Sequence, residues 1–178
     1  MTTVTLASDA PLTGFSDCHR GIVCGLRAFA SLPELLAAAS RARTVASATL
    51  LLFENSVLPH HADEESGLFP AVLRGAGPGE EVARVEALIA RLTAEHRSVE
   101  ALWKTLKPAV RRAAGGGAAD LDPAAVAALV CGYNRHVAYE ELEFLPLAAD
   151  IVGRNAKHMA ALGLSLHLRH GPQPMAYI

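Results

Sequence analysis

Aromatic residues, unbalanced charge and pairable cysteines are all scarce in this chain of 178 residues. Aromatics make up 5% of it while half of its residues are apolar, so the apolar share rests on Ala, Leu and Val, which favour closely packed helices over sheets. Sixteen basic against eighteen acidic residues leave a formal charge of −2, without the cationic excess that binding to a phosphate backbone needs. Nucleic acid is not an expected partner. Cys18, Cys24 and Cys131 form neither an even set nor a CxxC pair, which points to reduced thiols and a cytoplasmic protein. The N-terminal text has no basic region leading into an apolar core, and no later stretch gives about 18 uninterrupted apolar residues, so no membrane segment is expected.

What is present is helical punctuation. A chain of this length suits one core. Residues 1–14 lack helical periodicity and are expected as a tail. Ser16 or Asp17 is a candidate N-cap for a first helix, along which Ile22, Leu26, Phe29 and Ala30 recur at spacings of three and four. Pro33 either opens a new helix or kinks a longer one. From Glu34 to about Leu73 apolar residues are plentiful, with Pro59 expected to bend the run and Pro70 to sit near its end. Glycines at 75, 77 and 79 mark a turn before a long amphipathic helix from Val82 to Leu106 and beyond. A glycine-rich break at 113–119 precedes Asp122-Pro123, an N-cap and first-turn pair for a helix reaching about Ile151. Short connections favour antiparallel neighbours, so residues 15–152 are expected as an all-α, up-down-up-down four-helix bundle. Residues 153–178 are expected as an additional C-terminal helix and tail packed on it.

The chemistry-bearing residues lie in this framework. Residues 60–70 read HHADEESGLFP and residues 136–146 read HVAYEELEFLP. His60 aligns with His136, Glu64 with Glu140, Glu65 with Glu141 and Pro70 with Pro146, a short internal repeat. Residues four apart share a helix face, so His61 with Glu65, His136 with Glu140 and His96 with Glu100 each present an imidazole and a carboxylate together. His19 sits early in the first helix beside Ile22 and Val23. Several carboxylates facing one another in a core must hold protons or share cations. Plainer roles exist for the neighbours: His60 and Glu64 as surface or supporting residues, Glu141 and Glu143 as solvated acids, Trp103 as a core anchor, Tyr133 and Tyr139 as packing beside His136. No role is expected for His158, His167 and His170.

On Asp17-Cys18-His19-Arg20, His60-His61 with Glu64-Glu65 ahead of Leu68-Phe69-Pro70, Glu95-His96, and His136 with Glu140-Glu141 ahead of Pro146, the chain resembles the hemerythrin-like family and its HHE cation-binding branch. The resemblance implies a centre of two iron ions with His19, His61, His96 and His136 as terminal ligands and Glu65 and Glu140 as bridges. Whether Glu140 or Glu141 bridges stays open on the helix that starts at Asp122-Pro123. Glu100 stands where the oxygen carriers place a second histidine, and as a seventh ligand it moves the site away from O₂ transport. Zn and Mn suit the same donor types.

The expected function is therefore a metal-binding protein that binds or senses iron, O₂ or a related diatomic such as NO, with a homodimer as one possible assembly. A di-iron redox enzyme acting on peroxide or NO, or repairing iron–sulfur centres, is the alternative, although the cysteine pair that the resemblance implies for a repair factor is missing. A metal-free helical scaffold for protein interaction is the third.

Overall fold

The structure, a computed structural model, describes residues 10–154, with side chains from Ser16 onward, and divides into two compact units, Met1–Ala42 and Arg43–Ile178. The described residues are helical apart from short turns and contain no strand. The expected C-terminal helix, with His158, His167 and His170, lies outside them.

The first unit holds α1 (Ala10–Ala30) and the start of α2 (Leu32–Leu52). Helix α1 already runs from Ala10, ahead of the expected cap at Ser16 or Asp17. Only Ser31 separates the two helices, its hydroxyl donating to the Ala28 carbonyl at 2.7 Å. Pro33 falls in the first turn of α2, where a missing N–H costs nothing, so it opens a new helix. Every described side chain from Ser16 to Ala42 is exposed, including the stripe Ile22, Leu26 and Phe29 at 54%, 61% and 69%.

In the second unit the helix of α2 continues without a break to Gly75 through π1 (Phe53–Val57), α3 (Leu58–Asp63), π2 (Glu64–Leu68) and α4 (Phe69–Gly75). The long helix α5 (Glu80–Ala114) follows a turn in which Gly79 takes φ +91°. Then come α6 (Pro123–Tyr139), π3 (Glu140–Phe144) and α7 (Leu145–Gly153). The Asp122 side chain caps α6 as expected, accepting from the Ala124 N–H at 2.9 Å.

The π turns follow from three prolines. Proline inside a helix removes one N–H and drives its ring against the carbonyl four residues back. For Pro59, Pro70 and Pro146 that carbonyl belongs to Asn55, Ser66 and Leu142, each in the middle of a π turn. Widening the turn by one residue relieves the contact without ending the helix, and Pro70 stands, as expected, near the end of the run, which closes at Gly75. Pro108 lies inside α5 with no π turn before it.

The buried stripe of α5 shows the common core. Val85, Leu88 and Leu92 pack with Phe69, Val72, Phe144, Ala148, Ile151 and Val152. Val99, Trp103, Leu106 and Val110 pack with Ala46, Phe53, Val57 and Leu129. Rising numbers along α5 meet falling numbers on both neighbouring rods, so α5 runs antiparallel to each of them and those two run parallel to one another. Between the two apolar clusters, at the level of His96, lies a polar layer.

By length and composition alone, Ser16–Gly75 contains an 18-residue window of mean hydropathy 1.5, sufficient to cross a membrane, with none of that window buried. The expectation of no membrane segment was based on uninterrupted apolar runs; this averaged window meets the length requirement. The core helix of a soluble protein passes the same criterion.

Candidate metal centre

The polar layer is built at core positions of three rods. His61 comes from α3, His96 from α5 and His136 from α6; each is at most 1% exposed. The rings of His61 and His96 stack 3.9 Å apart within 6° of parallel. That of His136 stands edge-on to both, at 5.7 and 4.8 Å. Phe69 lies flat against His96 from the apolar side at 6.0 Å.

Each imidazole is held from outside by one acid. His61 Nδ1 donates to Glu100 at 3.3 Å, His96 Nδ1 to Glu65 at 2.8 Å and His136 Nδ1 to Glu95 at 3.3 Å. With Nδ1 as donor to a carboxylate, the Nε2 of a neutral ring carries the free lone pair, the arrangement by which acids orient metal-binding histidines. All three Nε2 atoms are buried without a hydrogen-bond partner, as are both oxygens of Glu64. Glu64 Oε2 does approach His96 Nε2, at 3.2 Å, without the alignment of a hydrogen bond.

Two sets of donors converge. One is His61, His96 and His136; the other is His60, Glu64 and Glu140, and within each set the donor atoms lie within 4.8 Å of one another. The two buried acids differ in protonation. Burial pushes Glu140 up, and the adjacent Glu64 carboxylate and the charge of Glu141 push it further. Burial also acts to raise Glu64, but His96, Glu140 and His60 outweigh it and hold Glu64 below the usual carboxylate range. Among the histidines, burial and then the charge of His96 lower His61 to about 4 and lower His136 too. His96 resists burial because Glu64 and Glu65 flank it, and its value rises.

Of the seven expected ligands, the structure brings together His61, His96, His136 and Glu140. Glu65 and Glu100 stand one layer out, on the Nδ1 side of His96 and His61, where they orient rather than face the cluster. The displaced role has a physical cause: π2 begins at Glu64, and its wider turn, with the next buried position at Phe69, leaves Glu64 rather than Glu65 as the inward acid. His60, expected on the surface, is 42% exposed, yet its Nε2 lies 3.2 Å from Glu64. In π3 the structure buries Glu140, at 6% exposure, and leaves Glu141 exposed. His19 is exposed in the first unit. Trp103 is the expected core anchor, stacked on Phe53 at 4.0 Å.

The model of the hemerythrin HHE cation-binding domain matches residues 11–148, from α1 into α7. The chain belongs to this family. Bound metal cation is accordingly what the HHE domain is built for, and the orphaned nitrogens and paired acids are donors of the right kind. The HHE domain here is also similar, at 27% identity over 158 residues covering 85% of this chain and 88% of the other, to a Haemophilus influenzae protein described as uncharacterized. No solved structure matches.

Proposed function

We propose that the chain is a di-iron HHE protein of the cytoplasm that binds or senses iron, O₂ or a related diatomic such as NO. One observation carries the reading: three buried imidazoles converge with their Nε2 atoms unpartnered while acids hold their Nδ1 atoms outside. Buried polar groups without partners are costly, and a cation removes that cost at all three together. His61, His96 and His136 would hold one ion, and His60, Glu64 and Glu140 a second. Iron bound there supplies reversible electron transfer and affinity for diatomic ligands. The up-down-up-down four-helix bundle and His19 as a further ligand stay part of this proposal, supported by the family match, which begins at residue 11.

Elemental analysis and an optical spectrum of protein purified without added metal test the proposal. Two irons per chain with charge-transfer absorption support it. Less than one metal ion of any kind overturns it and favours a scaffold.

Tyr133 favours a second reading, a redox enzyme. Its ring lies 6.2 Å from His61 and 5.9 Å from His136, and burial followed by the charges of Glu64 and Glu140 makes its phenol hold its proton more tightly. Its phenol O–H is carried on a ring that stands beside the donor set. Steady turnover of H₂O₂ or NO by iron-loaded protein, lost in Tyr133→Phe, distinguishes this reading from binding alone.

A further inference from the structure

The acids that orient His61 and His96 come from different helices, Glu100 from α5 and Glu65 from π2, yet one guanidinium holds both. Arg97 Nη2 donates to Glu65, and Arg97 Nη1 donates to Glu100 at 3.2 and 3.1 Å. Glu100 Oε1 thereby accepts from His61 Nδ1 and from Arg97 together. Arg97 is itself 56% exposed and touches neither ring. His136 has a separate support: Arg91 donates to Glu95 at 3.0 Å and lies 3.4 Å over the ring of Tyr139.

We propose that Arg97 is a positioning residue that clamps Glu65 and Glu100 together and so fixes both stacked imidazoles with Nδ1 protonated and Nε2 open to a cation. This rests on the reading of the cluster as a cation site. Two carboxylates drawn to one place repel each other, and both are partly exposed, at 24% and 30%, so water competes for them. The planar fork of arginine cancels that repulsion and supplies two donor nitrogens in fixed directions, which a lysine ammonium on its flexible stem does not. Loss of the fork frees both acids to turn outward, and each imidazole then loses the bond that selects its tautomer.

The test compares wild type with Arg97→Gln, Arg97→Lys and Arg91→Gln. Nitrogen-15 NMR of metal-free protein at pH 8.5 reads the tautomer of each histidine, Co(II) titration reads affinity, and circular dichroism confirms the fold. Arg97→Gln is expected to give mixed tautomers at His61 and His96, an unchanged His136, and Co(II) binding weaker by about 10- to 100-fold. Arg91→Gln is expected to disturb His136 alone, and Arg97→Lys to restore at most one of the two rings. Unchanged tautomers in Arg97→Gln, equal disturbance of all three histidines, or full rescue by Arg97→Lys each overturn the clamp. Failure of wild type to bind Co(II), with the tautomer shift intact, overturns the cation site and leaves the clamp standing.

Discussion

The two copies of the His-Glu-Pro repeat fold to the same local shape and use their acids in opposite ways. In both, a glutamate opens a π turn and a proline follows it, so Glu64 and Glu140 reach the core from equivalent places. Glu64 has His96 and His60 within 3.2 Å and keeps its charge; Glu140 has chiefly the Glu64 carboxylate for company and keeps its proton. Equivalent backbone therefore does not make equivalent chemistry. The neighbours supplied by other helices decide it, and the second copy of the repeat yields a carboxyl that keeps its proton.

The largest effect should break the asymmetry altogether. A cation at about a thousand times its Kd stabilises the fold by about 4 kcal/mol, read as a shift in the urea unfolding midpoint, and both Glu64→Gln and Glu140→Gln should lose most of it. If either variant keeps the full stabilisation, its acid is not a ligand. In chelator-treated protein the two should part company. Glu64→Gln removes one of the two acids that flank His96, Glu65 being the other, and should cost about 1–3 kcal/mol. Glu140→Gln replaces a neutral carboxyl by a neutral amide and should cost less than Glu64→Gln. Equal costs would mean that the proton is shared evenly.

A third consequence concerns protons. Because Glu140 is raised above its ordinary value of 4.5, the folded metal-free protein binds more protons than the unfolded chain above that pH, and this group's contribution to stability falls as pH rises through the window. Cation binding near neutrality should release about one proton from it, measured calorimetrically in buffers of different ionisation heat. Glu140→Gln should abolish that release. The smallest effect comes from a carboxylate held low far from the cluster. Glu81 accepts from Arg154 at 2.7 and 2.8 Å and from the Gly77 N–H at 2.6 Å, which lowers it to about 2. Its stabilisation is present above 4.5 and disappears as pH falls towards 2, so Glu81→Gln should flatten the acid limb of the stability profile there and leave cation binding unchanged.

Much of this was legible from spacing. The amphipathic pattern from Val82 to Leu106 became α5, Asp122-Pro123 capped α6, and three of the four histidines expected as ligands meet in one layer, because core stripes repeat at three and four whether the residue is Leu or His. Glu65, expected as a bridge, lies on the Nδ1 side of His96. A regular period puts the acid four after His61, whereas π2 buries Glu64, three after it. The repeat did carry the signal, since Pro70 and Pro146 stand six residues after Glu64 and Glu140. Proline alone does not announce a π turn, as Pro108 shows. The roles of Glu95, Glu100 and Arg97 depend on side chains from separate helices, which no local spacing encodes.

The prolines have one more consequence. A π turn adds a residue without adding a turn, so everything beyond it is rotated by about 100° relative to an uninterrupted α-helix. Pro70 and Pro146 thus act as frameshifts written into the helix. Removing a residue of π2 while replacing Pro70 by Ala restores the original frame for α4, whereas either change alone puts Phe69 and Val72 out of phase with the core.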